Sequence, residues 1–503
     1  MKLIKFLEKP QVISLSLLSI LFFILRFPSL FEPYWYGDEG IYFVIGDALR
    51  HGRILYEGVW DNKPPLLYVF YQFFGQNIFS IKFVSVIFGI GIVIAFYKLY
   101  EIVFKSNRHA VLASLVLTFL LGTPLLEGNI ANAENFILLP ILIGFLLFFN
   151  AYLLDAQEIK NKLSPRNMRI LAASGISFGV AFLFKIVGIF DLLALIFFLF
   201  LSTEISKNNF SVNSITLFIK REIKYLFPLI LGFLLPTIIY GIVAIIQGNF
   251  LAYIQGAFLN NVSYVRAEND FIIPHGFLVL KTLVLGVFLC LFYRLRKKIP
   301  LSLLFIGSWL IFSLYSIYFS QRPYGHYVLL LVPSFILFTF SAFHFQKIRK
   351  QILIICISIL VLILSTFEFF MAPRIISYYG NFFSFLSGQK STSKYISSFD
   401  YRTERDYTLA SFIKKLPNKK DNVFIWGDSA QIYFMSNTLP IGKYIVSYHV
   451  TTKPAINDVE KAVVKAKPKY IIVLPYTSLL PFSLAQYNYW ITIEGATIYE
   501  RTN

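Results

Sequence analysis

Val12–Leu30, VISLSLLSILFFILRFPSL, runs almost directly into a polar stretch that begins Tyr36-Gly37-Asp38-Glu39-Gly40 and ends Trp60-Asp61-Asn62-Lys63-Pro64-Pro65-Leu66-Leu67-Tyr68. An apolar run of about 20 residues is what a helix needs to cross a bilayer. The polar stretch is the first long interruption in a chain that is otherwise mostly membrane-like. Together they decide the fold class: membrane helices, with chemistry gathered where the helices pause.

The composition agrees. Of 503 residues, 57% are hydrophobic and 15% charged, and the mean hydropathy is +0.65, whereas soluble domains carry about 25% charged residues. The apolar runs are continuous, which argues against a membrane β-barrel with its short alternating segments. The 55 phenylalanines and 31 tyrosines suit lipid-facing surface and interfacial belts. The net charge of +19 is scattered between apolar spans rather than gathered on one soluble face. It therefore reads as cytoplasmic loop charge and not as a nucleic-acid surface. Cys290 and Cys356 both fall in apolar runs and read as small buried hydrophobes. No HxxxH or CxxC spacing occurs, so no metal ligand set is identified; a divalent ion stays open as a cofactor without named ligands.

Charge sets the topology. Lys2, Lys5 and Lys9 precede the first run and place the N-terminus in the cytoplasm. Basic residues recur at Lys98, Lys105 and Arg108, at Lys160, Lys162, Arg166 and Arg169, at Lys207, Arg221 and Lys224, at Arg294 through Lys298, and at Lys347, Arg349 and Lys350. Each cluster falls on a loop assigned inside. The count is about eleven spans over 1–371, with the loop 31–80 outside. Other external loops carry Glu127, Asn129, Asn132, Glu134 and Asn135, then Tyr253, Tyr264, Arg266, Glu268 and Asp270. Spans of about 15 residues, Ile170–Phe184 and Ile186–Leu201, flank Lys185. At about 1.5 Å per residue they fall short of a bilayer, which would leave Lys185 in a protein-lined site at membrane depth.

From about Ala372 the chain turns soluble in character. Strand-like Asp421–Trp426 and Lys469–Leu474, helical Asp458–Lys465, and a strand pair about Glu494-Gly495 predict a small α/β domain over 372–503, on the extracytoplasmic side. GxGxxG is absent, so the Gly427-Asp428 turn is no dinucleotide fingerprint.

Several residues could carry chemistry. Asp38 reads as the N-cap of a helix beginning at Glu39, with Gly52 as its stop. Ile41, Tyr42, Ile45, Ala48 and Leu49 give that helix one apolar face, as if it lay on the membrane. The Asp38-Glu39 pair also supplies a general base for an acceptor hydroxyl or amine. Lys63, stiffened by Pro64-Pro65, is either a loop lysine paired with Asp61 or a fixed cation for a phosphate leaving group. Glu134, with Asn135, caps a span or orients a substrate. Arg322 and His326 share a turn with Tyr324 and Tyr327; the first two suit a phosphate and the tyrosines suit the interface.

These residues bring a family into view. Tyr36-Gly37-Asp38-Glu39-Gly40-Ile41-Tyr42, His51-Gly52 and Asp61-Asn62-Lys63-Pro64-Pro65-Leu66 resemble the first external loop of the GT-C glycosyltransferases. The likeness is to the group that includes protein O-mannosyltransferases and lipid A aminoarabinose transferases. The Ala133-Glu134 loop, the lysine between two apolar segments, the Arg-x-x-x-His-Tyr turn and a Trp-Gly turn in a C-terminal domain are similar to family features. The resemblance implies an inverting transfer, on the extracytoplasmic face of the cell membrane, from a polyprenyl-phosphate sugar to a lipid, glycan or protein. It implies Asp38 as the catalytic aspartate, and Lys63 and Lys185 beside the lipid phosphate. Gly40-Ile41 and Asn62 stand where the family often has Arg and Glu or His, so sugar and acceptor stay open. A transporter or flippase for a lipid-linked sugar is the rival reading. It predicts inverted repeats, and none is visible in the sequence.

Overall fold

Apolar sequence becomes helix along most of the chain. The computed structural model describes residues 10–157, 163–203, 212–261, 265, 269–417 and 422–502. Lys2, Lys5, Lys9, Lys160, Lys162, Lys207, Tyr264, Arg266 and Glu268 lie outside the described residues. Among the described residues, eight helices are long and apolar enough to cross a membrane: Pro10–Phe31, Ile78–Phe104, Ala133–Leu153, Pro165–Phe184, Arg221–Ile246, Gly276–Leu295, Leu301–Tyr318 and Gln346–Thr366. The other three expected spans are shorter apolar helices, Asn107–Gly122, Ile186–Ser202 and Val332–Ser341.

One boundary differs in a way that matters for the site. The segment expected to start at Ile170 is the 20-residue helix Pro165–Phe184, about 30 Å long and able to span. It starts early because the Ser164 hydroxyl accepts from the Asn167 N–H, with Pro165 in the first turn, a favoured N-terminus. Lys185 is therefore flanked by one short helix, Ile186–Ser202, and not by two. It is exposed to the interior by a break: φ −157° and ψ 130° put it in extended backbone before the next helix begins.

Glycines bring the neighbouring helix close. A Cβ on Gly175 would sit 2.0 Å from the Leu229 carbonyl oxygen, and one on Gly232 would sit 2.1 Å from that of Ala172. Helices pack backbone to backbone through small residues where lipid supplies no hydrophobic drive. Elsewhere apolar side chains face outward, as Leu283, Val287, Ile354 and Ile357 do. Cys290 is among the exposed residues, contrary to expectation, because it lies on such an outward face; Cys356 is buried.

The first loop folds as two helices, Gly37–Arg50 and Pro65–Phe74. Asp38 is not the cap of the first: Tyr36 holds that position without a side-chain cap bond, and Asp38 and Glu39 lie in the first turn. There their charge still complements the helix dipole. His51 closes the helix, and Gly52 follows with φ +80°, a conformation that glycine adopts without strain.

The C-terminal α/β domain has strands β1 (Val423–Trp426), β2 (Tyr470–Val473), β3 (Tyr487–Ile493) and β4 (Ala496–Arg501) in the order β1-β2-β4-β3. β1 and β2 are parallel, joined through helices Gln431–Ser436 and Lys453–Ala466; β4 is antiparallel to both neighbours. Glu494 and Gly495, with φ 49° and 77°, make the two positive-φ positions that a tight hairpin requires. This domain sits on the first loop. Gly40 lets helix Gln431–Ser436 approach so closely that a Cβ there would lie 2.5 Å from Gln431 Oε1. The Trp60 N–H donates to the Lys443 carbonyl at 2.8 Å, and Arg53 donates to the Pro440 carbonyl at 2.6 Å.

Candidate active site

Lys63 is the centre of the cluster. Its Nζ lies 3.5 Å from Asp61 Oδ2 and 3.9 Å from Asp38 Oδ2, with the Tyr42 ring centroid 5.0 Å away. The backbone around it is pinned by tyrosines. Tyr56 donates to the Lys63 carbonyl at 2.7 Å, the Lys63 N–H donates to the Tyr68 hydroxyl at 3.1 Å, and Tyr68 donates to Asp61 at 2.7 Å. The pairing with Asp61 read in the sequence is present, and the backbone that carries the ammonium is held on both sides.

Asp38 and Asp61 differ in setting. Asp61 is buried, with side-chain exposure of 2%, whereas Asp38 is 36% exposed. Burial opposes ionisation of Asp61. Lys63, His449 and hydrogen bonds from Tyr68 and the Asn62 N–H more than offset it, so the Asp61 carboxyl titrates below its ordinary value. Asp61 is a fixed anion for the lysine. Asp38 accepts from the Tyr42 hydroxyl at 3.2 Å and keeps an open edge, the property a general base needs.

Glu39 goes elsewhere. Its Oε1 accepts from the Ala131 N–H at 2.6 Å and lies 2.8 Å from Lys82 Nζ. Lys82 is fully buried and also reaches Glu32 at 3.1 Å and the Asn129 carbonyl at 2.8 Å. Trp35, Asn129 and Tyr378 donate to Glu32. The expectation that Glu39 shares catalytic duty with Asp38 is corrected by helix geometry. Consecutive residues on a helix do not share a face, and Glu39 faces the interior as a strut.

A second cluster surrounds Glu134, which is buried. Lys185 Nζ donates to Glu134 Oε1 and lies 3.9 Å from the Tyr327 ring centroid. His326 Nε2 is 3.8 Å from Glu134 and its Nδ1 is 3.0 Å from Glu127. Tyr36, two residues before Asp38, donates to Glu127 at 2.5 Å. Burial opposes protonation of His326, but Glu134 and Glu127 outweigh it against the opposing Lys185, so the ring titrates above its ordinary value. Tyr324 stacks on His326 with ring centroids 5.6 Å apart. Arg322 is partly buried at the same turn. Asn135 does not join the cluster: its amide donates to the Ile130 carbonyl at 2.6 Å and shapes the turn below Glu134.

The C-terminal domain adds residues that sequence reading missed. His449 Nε2 is 3.6 Å from Asp61 Oδ1. Asp428 Oδ1 accepts from the Ser447 hydroxyl at 2.5 Å and the Tyr448 N–H at 3.3 Å. Asp38, Asp61 and Lys63 all act electrostatically on His449. Burial is the largest influence there and holds the imidazole below its ordinary value, with Lys63 adding to it and the carboxylates opposing. Lys82 and Glu32 were also missed; a lysine at a span's edge reads as an interfacial residue until its partner, 50 positions earlier, is known. Among the described residues, no three His, Cys, Asp or Glu side chains converge to hold a metal ion, so none is assigned to one.

Residues 63–220 match the family model described as dolichyl-phosphate-mannose-protein mannosyltransferase. The match starts at Lys63 and takes in Glu134 and Lys185. No curated protein matches the chain by sequence. Among solved structures, ArnT from Cupriavidus metallidurans, bound to undecaprenyl phosphate, is 12% identical, with TM-score 0.52 over 97% of this chain and 97% of that one. The archaeal oligosaccharyltransferase AglB from Archaeoglobus fulgidus, in complex with an inhibitory peptide and a dolichol-phosphate, is 12% identical, with TM-score 0.50 over 92% of this chain and 69% of that one. At such identities the likeness establishes the fold, and the fold is of the GT-C type, as the first loop led one to expect.

Proposed function

We propose that this GT-C-fold membrane protein, with a mannosyltransferase family match over 63–220, is an inverting glycosyltransferase that uses a polyprenyl-phosphate sugar. The observation that carries the reading is the Asp38–Lys63–Asp61 arrangement. A partly exposed carboxylate stands beside a cation whose backbone is pinned on both sides. Asp38 takes the proton of the acceptor hydroxyl or amine as that atom attacks the anomeric carbon. The bond from that carbon to the phosphate oxygen breaks on the opposite face, and its electron pair leaves with the phosphate. Lys63 stabilises the growing charge by exchanging one of its carboxylate partners for phosphate oxygen. Fixed cations at a developing anion are an effective form of catalysis.

Lys185, His326 and Arg322 form the outer part of the phosphate site. Lys185 and His326 are tied to Glu134 and Glu127, so they reach the phosphate as members of a network rather than as bare cations. Glu134 and Tyr324 orient the acceptor through that network. Basic inside loops support transfer on the extracytoplasmic face, with 1–371 as the membrane unit and 372–503 as the outer domain.

The test is transfer by the purified protein from a panel of polyprenyl-phosphate sugars, with product stereochemistry read by NMR. The expected result is an inverted product with wild type and loss of transfer with Asp38→Asn. Equal transfer by Asp38→Asn removes Asp38 as the base, and retention of configuration removes the single-displacement mechanism.

A further inference from the structure

We propose that His449 is a positioning residue of the Lys63 site. The C-terminal domain, through this imidazole, fixes the Asp61 carboxylate that in turn holds the Lys63 ammonium. The inference rests on the reading of Lys63 as the phosphate-side cation, and nothing in the first loop alone contains it.

Four observations carry it. His449 is 90% buried, with side-chain exposure of 10%, and its Nε2 faces Asp61 Oδ1 at 3.6 Å. The ring meets Trp60 edge-on, with centroids 5.1 Å apart at 87°, so its orientation is set by a residue next to Asp61. Its Nδ1 is buried without a hydrogen-bond partner. Nε2 is therefore the ring nitrogen turned to a polar partner: it faces Asp61 Oδ1 at 3.6 Å, longer than a hydrogen bond and within range of an electrostatic contact. Asp61 cannot hold Lys63 with full freedom either. Its Oδ1 also accepts from the Asn62 N–H at 2.7 Å and its Oδ2 from Tyr68 at 2.7 Å, and His449 Nε2 approaches Oδ1 at 3.6 Å from the other domain.

The segment that presents His449 is itself built in. The Ser447 N–H donates to the Gly427 carbonyl at 3.0 Å, the Ser447 hydroxyl donates to Asp428, and Gly427 follows β1 with φ +151°. The line of contact therefore runs from β1, through the 447–449 turn, to Asp61 and Lys63. Asp61, Lys63, Asp38 and Asp428 all act electrostatically on the imidazole, and Asp61 is in direct contact with it.

The test uses the full chain in lipid nanodiscs. A limiting N-hydroxysuccinimide ester acylates accessible lysines, and mass spectrometry follows Lys63 against Lys469, a lysine on the C-terminal domain that is 43% exposed. His449→Phe keeps a ring against Trp60 and removes the polar nitrogen that faces Asp61; His449→Gln keeps a polar group there. Lys63 should react at least about threefold faster in His449→Phe, equivalent to about half a pKa unit of altered environment. His449→Gln should recover most of that change, and Lys469 should not respond. Equal Lys63 rates in wild type and His449→Phe overturn the proposal, as does a rise shared by Lys469. Binding of undecaprenyl phosphate to the same proteins separates the two readings. Failure of wild type to bind or use it removes the proposed function and leaves the Lys63 readout standing.

Discussion

In the proposed reaction, Asp38 and Lys63 divide the chemistry by their surroundings. One carboxylate is open and one cation is pinned, so replacing each should produce a different loss. Asp38→Asn removes proton acceptance, and the expected effect is a fall of about 10²–10⁴ in kcat with donor binding preserved. Lys63→Met removes a fixed positive partner of the leaving oxygen. It should cost about 10²–10³ in kcat and also weaken undecaprenyl phosphate binding, read by titration in nanodiscs. Equal binding by Lys63→Met and wild type would move the phosphate contact to Lys185 or Arg322. His326 gives a pH signature. Its folded value is raised by Glu134 and Glu127 despite burial. Its contribution to stability is therefore fully present below its unfolded value near 6.5 and is lost as pH rises through the folded value. Thermal midpoints should fall as pH rises above about 6.5 in wild type, and His326→Gln should flatten that slope. A parallel slope in both proteins would show that the ring carries no such load.

At the scale of elements, the helix Gly37–Arg50 serves two sites because its first turn points two ways. Asp38 turns to Lys63 and Glu39 to the buried Lys82. Lys82→Met would leave Glu32 and Glu39 without their shared cation. Removing one partner of a buried ion pair typically costs about 3–5 kcal/mol, and the expected result is a lowered thermal midpoint in detergent. The double variant Lys82→Met, Glu39→Gln should recover part of the loss, because one orphaned charge goes with it. No recovery would show that Glu39 is not coupled to Lys82. The same helix shows what sequence could and could not reveal. The apolar runs, the basic loops, the Asp38–Lys63 loop and the strand pair about Glu494-Gly495 were legible because each is encoded within a few tens of residues, by periodicity, charge or turn chemistry. Glu32 with Lys82, and Asp61 with His449, were not. These pairs close over 50 and 388 positions, and a lone charged residue carries no mark of so distant a partner. The early start of helix Pro165–Phe184 was missed for a smaller reason: Ser164-Pro165 is a start signal, but the polar residues after it masked the helical turn.

For the whole molecule, the candidate site draws on two domains, because His449 of the C-terminal domain meets Asp61 of the first loop. Gly40 is a close contact at this seam. A Cβ there would meet Gln431 Oε1 at 2.5 Å and the Gln431 backbone nitrogen at 3.0 Å. The side-chain end could move aside, whereas the backbone could not without shifting helix Gln431–Ser436. Gly40→Val adds bulk at that contact while leaving Asp38, Lys63 and Asp61 in place on the first loop. If His449 positions Lys63 from across the domain seam, lifting the domain should lower kcat/KM by about tenfold, equivalent to about 1.4 kcal/mol, and speed Lys63 acylation as His449→Phe does. The two effects should not add in the double variant, because both remove the same contact. Full additivity in kcat/KM would mean that Gly40 acts on the site by another route, through the helix that carries Asp38 itself. A Gly40→Val protein with unchanged kinetics would show that the sheet domain can lift from the first loop without disturbing the chemistry.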